Sequence, residues 1–254
     1  MEFALDPALI SGYLLALVRA AAWVFVSPPF GNRMLPVQVK LGFAAALALA
    51  LGPKLAEHAV PLEVGPLLGA AVLQVGAGLA LGFIGVLLLG AFQSAGSLID
   101  LFGGFTMAQI FDPSTGSSTS IFGRFYSLLA TTLLFATNGH LLLVRGFLTS
   151  FDAAPLTGLS LDGIGELLTE DLGRFFLAAV QIALPLLAAL FLAEVALGLL
   201  SRAAPAMNVF MLGMPLKILL TVSLAGLALP LLPGALDNLV RPVVRHGLLI
   251  TGGG

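Results

Sequence analysis

The sequence contains no cysteine and few charged residues. Of its 254 residues, 59% are hydrophobic and 9% are charged, whereas a soluble domain carries roughly 25% charged residues. The lack of cysteine excludes disulfide bonds, thiol catalysis and thiolate metal ligands. The formal net charge of −2 at pH 7 gives no basic footprint of the kind that nucleic-acid-binding proteins carry. The composition predicts an integral membrane protein that contacts the lipid bilayer and binds no nucleic acid.

The sequence also lacks the patterns that enzymes and cofactor-binding proteins show. It has no phosphate-binding glycine loop, no pair of histidines at metal-ligand spacing and no nucleophile–base–acid set. His140 follows Asn138 and Gly139, and no acidic residue lies close in sequence to orient it as a base. We interpret His140 as a hydrogen-bonding residue at a helix kink. We therefore expect no enzymatic activity, no cofactor and no metal ion.

The N-terminus lacks the basic segment with which a cleaved signal peptide begins. Glu2 and Asp6 precede the first apolar run, and no lysine or arginine does. We therefore expect this run to remain in the chain as a helix.

Six apolar stretches approach the roughly 20 residues that a helix needs to cross a bilayer core. They are predicted as helices over about residues 8–26, 37–51, 66–92, 121–148, 172–200 and 207–232, with an acidic connector over 150–171 and a tail over 233–254. The second helix is short for a span. Asn138 and Gly139 weaken the fourth helix and favour a kink or break there. We expect one membrane domain over residues 1–254.

Small residues in the third predicted helix favour close helix packing. Gly65 and Gly69 are four residues apart, as are Gly78 and Gly82. This spacing lets another helix backbone approach closely, either in a partner or in the same chain.

The distribution of basic residues gives conflicting orientations. The positive-inside rule places Arg33 and Lys40 in the cytoplasm and the acidic connector outside, so the N-terminus is outside. Six full spans then place the tail outside as well, against Arg241 and Arg245. Either one stretch does not cross the membrane, or the chain is not an ordinary six-helix bundle.

A polar, glycine-punctuated stretch over residues 98–124 interrupts the apolar helices. It contains Asp100, the flexible aromatic run Phe102–Phe105 and a nearly uncharged Ser/Thr run over 114–120. Such backbone is tolerated at membrane depth only where protein or water surrounds it. Methionine beside a flexible run can seal a gap without a fixed shape. We interpret the stretch as a loop that lines or plugs a pore, with a solvated linker as the alternative.

Five charged residues lie in or beside apolar stretches: Arg19, Asp100, Arg145, Glu194 and Lys217. A charge in the bilayer is costly unless it is paired or faces water. Glu194 and Lys217 lie on adjacent predicted helices, where a structural ion pair is one interpretation. Contact with partner subunits or a hydrated channel is the second, and a proton relay is the third.

Four groups of residues together resemble a known family. They are Pro29 to Arg33 with Pro36 and Val39 to Gly42; Ala91 to Gln93 with Ala95-Gly96, Ile99-Asp100, Gly104-Phe105, Met107-Ala108 and Asp112-Pro113; Asn138-Gly139-His140; and Ala193 to Arg202 with Ala204-Pro205, Met207 to Phe210 and Leu212 to Lys217. Their order and spacing are similar to those of the FliR/SctT export-gate family of bacterial type III secretion. The resemblance covers nearly the whole chain.

The resemblance implies an all-α membrane protein whose roughly six hydrophobic helices form tilted hairpins within a hetero-oligomeric helical assembly. In such a gate one FliR-like chain joins FliP-like and FliQ-like subunits, and an FlhB-like protein wraps the cytoplasmic entrance. The implied location is the bacterial inner membrane at the flagellar basal body, and the implied cargo is exported flagellar protein. Much of such an assembly is lifted out of the bilayer, which accounts for the orientation conflict.

The resemblance also assigns roles to particular residues. The channel plug is implied for Phe105, Met107, Phe111, Asp112, Pro113, Ser114, Thr115, Gly116 and Ser117. Contacts in assembly are implied for Pro29, Gly31, Arg33, Pro36, Lys40, Asp100, Asn138, His140, Glu194, Arg202, Asn208 and Lys217. The family often has a glutamine between Asp100 and Gly104, and another before Met207, and this chain has neither.

Two other functions stay open from the sequence. The first is the paralogous export gate of the virulence injectisome, which neighbouring genes would distinguish. The second is a stand-alone secondary transporter with a substrate site near the charged residues at mid-membrane. No inverted repeat is detected in the sequence, and this counts against the transporter.

Overall fold

The computed structural model describes residues 7–32, 34–51, 60–106, 120–153, 161–206 and 208–249. Regular structure in these residues is helical throughout, which confirms the all-α class. The elements are α1 (Pro7–Val26), α2 (Val37–Ala50), α3 (Val64–Gly103), α4 (Ile121–Ala136), α5 (Gly139–Ala153), α6 (Leu161–Ala203), α7 (Val209–Ala228), a 3-10 turn (Leu229–Leu231) and α8 (Leu232–Leu249).

Four segments in the described residues are long and apolar enough to cross a membrane. They are Pro7–Val26, Val64–Gly103, Leu172–Ala203 and Met211–Val240, and α4 with α5 forms a fifth, broken candidate. Helix α2 has 14 residues, so it is about 21 Å long against a hydrocarbon core of roughly 30 Å. The chain is thus a multi-pass membrane protein, and the predicted count of six spans is not confirmed.

Helix α3 is longer than the sequence predicted. The prediction ended it at Phe92, but it continues to Gly103 and has 40 residues. Phe92, Ala95 and Ile99 are all fully buried, so the apolar face of the helix continues beyond the predicted end. Asp100 therefore lies in a helix and not in a loop.

The other two boundary corrections concern polar segments that are helical. Helix α6 begins at Leu161, inside the predicted acidic connector; acidic residues are favourable near a helix N-terminus, so the composition of the connector does not oppose a helix. Helix α8 occupies most of the predicted tail. Leu232, Leu236 and Val240 are buried at intervals of four residues, which gives this helix one apolar face to pack.

The predicted break in the fourth helix is confirmed. Helix α4 ends with a hydrogen bond from the amide of Thr137 to the carbonyl of Leu133. The next residue, Asn138, has φ 57°, in the left-handed region. Asparagine is one of the few non-glycine residues that adopt this conformation routinely. Helix α5 then starts at Gly139.

The chain forms two compact units. The first comprises Met1–Leu88, Asn138–Gly173 and Leu239–Gly254. The second comprises Leu89–Thr137 and Arg174–Asn238.

The first unit is held together by a buried arginine that joins three helices. Arg19 on α1 is fully buried, and its Nε donates a 2.5 Å hydrogen bond to Oε1 of Gln74 on α3. Its Nη1 donates to the carbonyl oxygen of Ser150 on α5 at 3.1 Å. The guanidinium carbon lies 4.1 Å from the centroid of the Phe151 ring. These contacts offset the cost of placing a cation inside an apolar unit.

Close packing of α1 against α3 depends on a glycine. A Cβ atom at Gly78 would clash with the carbonyl oxygen of Arg19 and lie 2.8 Å from the Cβ of Ala22. The predicted close approach at Gly78 and Gly82 is therefore confirmed, and it occurs within the chain. At Gly65 and Gly69, by contrast, a Cβ atom would meet no other element among the described residues within 4 Å.

Candidate functional site: the base of the loop between α3 and α4

The C-terminal end of α3 and the N-terminal end of α4 approach each other at Gly96. A Cβ atom there would clash with the backbone carbonyl of Phe122. Only glycine fits this contact without a shift of the backbone. The two ends of the segment 107–119 therefore start from a closely packed base within the second unit.

Polar groups fasten this base. The carboxylate of Asp100 accepts hydrogen bonds from the amide of Phe122 at 3.0 and 3.2 Å. Ser120 is the N-cap of α4, and its Oγ accepts from the amide of Gly123 at 2.9 Å. The Oγ atoms of Ser97 and Ser120 lie 2.9 Å apart. A carboxylate at a helix N-terminus also interacts favourably with the helix dipole. We call Ser97, Asp100, Ser120 and Phe122 the loop-base clasp.

Aromatic and small residues complete the base. Helix α3 ends at Gly103, and Gly104 has φ 83°, which favours glycine. The ring of Phe105 packs edge-on against that of Phe122, with centroids 5.3 Å apart. A Cβ atom at Gly103 would lie 2.7 Å from Oγ1 of Thr221 on α7. Thr221 is fully buried and donates to the carbonyl of Lys217 at 2.7 Å.

Most of the predicted plug lies outside the described residues. These are Met107, Phe111, Asp112, Pro113, Ser114, Thr115, Gly116 and Ser117. Of the predicted plug residues, the structure describes Phe105. Arg33, one of the predicted assembly contacts, also lies outside the described residues. The plug therefore remains a prediction about a segment whose two ends are defined.

Glu194 and Lys217 form an ion pair between α6 and α7. Lys217 Nζ donates to Glu194 Oε2 at 2.7 Å. The side chain of Glu194 is 58% exposed, whereas that of Lys217 is 18% exposed. The pair suggested by the sequence is present, and its carboxylate faces outward from the second unit.

The proline- and glycine-rich residues after α1 build a corner inside the first unit. Lys40 on α2 is buried, and its Nζ donates to the carbonyl of Gly31 at 3.0 Å and lies 5.3 Å from the centroid of the Phe25 ring. A Cβ atom at Gly31 would lie 2.6 Å from the carbonyl oxygen of Phe25. Pro29 lies in the same turn, and Pro36 is exposed immediately before α2. Lys40 and Gly31 thus make contacts within the chain itself.

The remaining predicted contacts lie at helix ends. Asn138 separates α4 from α5, and His140 follows in the first turn of α5. Arg202 is exposed in the last turn of α6. Asn208 is the N-cap of α7, and its Oδ1 accepts from the amide of Met211 at 3.3 Å. The assembly roles of these four residues remain predictions.

Sequence reasoning missed several residues that make hydrogen bonds inside one or the other compact unit. Ser97 and Thr221 support the loop base, whereas Gln74 and Ser150 bind Arg19. Ser120 alone carried a local signal, because a serine immediately before an apolar helical run is a typical N-cap. The partners of Arg19 are distant in sequence, and no local pattern indicates them. No group of His, Asp or Glu that could hold a metal ion is found in the described part of the chain.

The fold and the buried polar contacts define an all-α, multi-pass membrane protein with a closed loop base between two of its helices. A family described as "Bacterial export proteins, family 1" matches residues 10–243. The chain belongs to this family, as its resemblance to the export-gate proteins predicted.

Individual relatives cover most of the chain. It is 33% identical over 232 residues to "Flagellar biosynthetic protein FliR" of Escherichia coli (strain K12), covering 91% of this chain and 89% of that relative. It is 33% identical over 217 residues to the protein of the same name in Bacillus subtilis (strain 168), covering 83% of each. It is also 30% identical over 211 residues to "Yop proteins translocation protein T" of Yersinia pestis, covering 81% of this chain and 80% of that relative.

Proposed function

We propose that the chain is a non-enzymatic subunit of the flagellar type III protein-export gate. It forms part of the conduit through which unfolded flagellar substrates cross the bacterial inner membrane. The observation that carries the proposal is the family match over residues 10–243, together with 33% identity to two flagellar relatives. Its partners are FliP-like and FliQ-like subunits and an FlhB-like protein.

Affinity purification tests this assignment. The tagged chain is isolated from its native host in mild detergent, and the co-purifying proteins are identified by mass spectrometry. FliP-like and FliQ-like chains together with an FlhB-like protein are the expected result. A well-folded monomer or homodimer without these partners contradicts the gate and favours the stand-alone transporter.

The segment between α3 and α4 acts as the plug of the closed conduit in this proposal. Two observations support it: Phe105 packs on Phe122 at one end of the segment, and Ser120 bonds Ser97 at the other. The 13 residues 107–119 therefore begin and end at one fastened base. Met107 and Phe111 supply compliant apolar side chains for sealing, and residues 112–117 supply a polar run with little side-chain bulk.

Replacing residues 111–117 by a glycine–serine segment of equal length tests the plug. Ion leakage through the assembled gate is expected to rise, because the sealing side chain of Phe111 is removed while the loop-base clasp is kept. The matched control replaces residues 154–160, a segment of the same length, by the same glycine–serine sequence. This control is expected to leave ion leakage unchanged. Unchanged leakage from a correctly assembled gate carrying the first replacement contradicts the plug.

The injectisome gate is the second candidate. The observation that favours it is the 30% identity to "Yop proteins translocation protein T" of Yersinia pestis. Deleting the gene separates the two machines. Loss of flagellin secretion supports the flagellar gate, and loss of a virulence substrate from the medium with motility intact supports the injectisome.

A further inference from the structure

Helix α7 meets the end of α3 at a crowded point inside the second unit. A Cβ atom at Gly103, the last residue of α3, would lie 2.7 Å from Oγ1 and 3.1 Å from Cγ2 of Thr221 on α7. It would also lie 3.2 Å from Cδ2 of Phe105. The space beside Gly103 is therefore filled by a side chain of α7 and by the Phe105 ring, and a methyl group there would overpack the contact.

The Thr221 side chain is a rigid part of α7. It is fully buried, and its Oγ1 donates a 2.7 Å hydrogen bond to the carbonyl oxygen of Lys217, one turn earlier on the same helix. Threonine is branched at Cβ and is restricted at χ1 in a helix, and this hydrogen bond selects its rotamer. The two atoms that face Gly103 cannot turn away without breaking a buried hydrogen bond, so they move with α7.

The chain beyond Gly103 has a flexible joint and a fixed partner. Gly104 has φ 83° and carries no side chain that would limit its rotation. The next ring, that of Phe105, packs edge-on against Phe122 with centroids 5.3 Å apart. The amide of Phe122 is held in turn by the carboxylate of Asp100. Phe122 is thus fixed and Phe105 can turn about Gly104, so the position of Gly103 decides whether the two rings meet.

We propose that Thr221 is the positioning residue that holds Phe105 on Phe122. It fixes the end of α3 at the place from which the turn at Gly104 brings the two rings together. A displacement of α7 relative to α3 is thereby passed on to Phe105, while the loop-base clasp stays closed. The inference rests on the proposed function in one respect, because it takes Phe105 as a sealing residue of the closed conduit.

Adding a methyl group at Gly103 tests the contact in the purified chain. Phe105 is replaced by a para-fluorinated phenylalanine, whose fluorine NMR signal in detergent reports whether its ring lies on Phe122. The variant Phe122→Leu gives the signal of a ring without this partner. Gly103→Ala is expected to move the fluorine signal toward that of Phe122→Leu, because overpacking forces the neighbouring groups apart. An unchanged signal overturns the proposal.

Changes at Thr221 separate positioning from a general loss of stability. Thr221→Ala alone removes the support of α3 and is expected to move the same signal; this variant decides the case in which Gly103→Ala does not fold. In the double variant G103A with T221A, the added methyl group fills the space that the threonine leaves, so the signal of the packed ring is expected to return. G103A with T221S is the matched control, because serine keeps the crowding oxygen. Equal signals of the two double variants overturn the proposal.

Ion leakage through the assembled gate tests the consequence for the conduit. Gly103→Ala is expected to raise leakage roughly fivefold or more, and G103A with T221A to return it to within about twofold of wild type. The amount of assembled gate on native gels is the control. Normal leakage with Gly103→Ala overturns the inference if the replacement of residues 111–117 leaks. If that replacement does not leak either, the plug in the proposed function fails instead, and the fluorine signals still decide the contact.

Discussion

At the scale of single residues, Asp100 has a role that its position in the sequence did not reveal. It lies fully buried on α3, and both carboxylate oxygens accept from the amide of Phe122. A buried carboxylate is tolerated only when it is hydrogen-bonded or paired. Asp100 therefore acts inside the chain, as an acceptor for the first turn of α4.

Replacing Asp100 by leucine is expected to lower the free energy of unfolding by about 1–3 kcal/mol, because the amide of Phe122 is left buried without this acceptor. Asp100→Asn keeps one acceptor oxygen and is expected to cost less. The measurement is thermal unfolding of the purified chain in detergent, followed by circular dichroism. Leu101→Ala, an exposed neighbour on α3, is the matched control. Equal stability of Asp100→Leu and wild type contradicts the role of Asp100.

Arg19→Lys is expected to destabilise the chain by about 1.5–3 kcal/mol, because an ammonium cannot reproduce the planar set of donors. Gln74 accepts from Nε, so the effects of Arg19→Lys and Gln74→Leu overlap. A double-mutant cycle measured by detergent unfolding is expected to show a coupling of about 0.5–3 kcal/mol. Strictly additive effects would show that the two residues do not act together.

The sequence showed which charged residues need a partner more readily than it showed which residues those partners are. Glu194 and Lys217 were suggested as a pair because they lie on adjacent helices, and the structure shows the pair. Arg19 was recognised as costly, but its partner Gln74 is 55 positions away and uncharged. Hydrogen bonds between distant helices leave no periodic pattern in a single sequence, and this is why Ser97 and Gln74 were missed.

At the scale of helices, the contact between α3 and α4 is a rigid junction. Gly96 has no room for a side chain against Phe122, and Asp100 is committed to the same residue. Opening this junction would expose a buried carboxylate and break its hydrogen bonds from the amide of Phe122. Movement during export is therefore expected to leave the loop-base clasp closed.

A disulfide between Ser97→Cys and Ser120→Cys tests the rigid junction. The Oγ atoms of the two serines are 2.9 Å apart, and no native cysteine competes. After mild oxidation, the cross-linked chain is expected to support flagellin secretion at the wild-type rate. Each single cysteine variant with the same oxidant is the control. Loss of secretion that a reductant restores would show that the junction must open.

Asn138 sets the break between α4 and α5 through its left-handed backbone. Asn138→Ala is expected to lower stability by about 1 kcal/mol, because an ordinary L-residue is strained at φ 57°. Asn138→Gly removes that strain and is expected to stay within a few tenths of a kcal/mol of wild type. Unfolding temperatures in detergent compare the two variants, with Thr137→Ala as the neighbouring control. Equal losses for alanine and glycine would assign the role to the side chain.

Helix existence was easier to predict than helix ends. The kink at Asn138 followed from a residue pair that weakens helices, and the structure confirms it. The end of α3 was placed too early because Gln93, Ser94 and Ser97 interrupt the apolar run, yet the buried face continues through Ile99. The apolar run in the sequence shows where a helix is hydrophobic. The end of the helix is set instead by the packing and capping of its last turn, so the two positions differ.

At the scale of the whole molecule, the short helix α2 offers a solution to the orientation conflict. Five crossings, by α1, α3, the α4–α5 pair, α6 and the last candidate span, place the two chain ends on opposite sides of the membrane. Arg33 and Lys40 then share the cytoplasmic side with Arg241 and Arg245. The acidic connector over residues 150–171 also becomes cytoplasmic, against the sequence-based expectation. Acidic residues contribute little to the positive-inside rule, so this placement is permitted.

Reporter fusions test the five-crossing arrangement. A fluorescent protein fused after Gly254 is expected to fluoresce, because it folds in the cytoplasm, and alkaline phosphatase at the same position is expected to be inactive. Alkaline phosphatase inserted after Ala206, in the turn between α6 and α7, is expected to be active. If α2 crosses as a sixth span and the N-terminus stays outside, the fusion after Gly254 gives the opposite result. That outcome would require the 14-residue helix α2 to cross the membrane. A helix this short would need a locally thinned bilayer, or a position in an assembly that is lifted out of the bilayer.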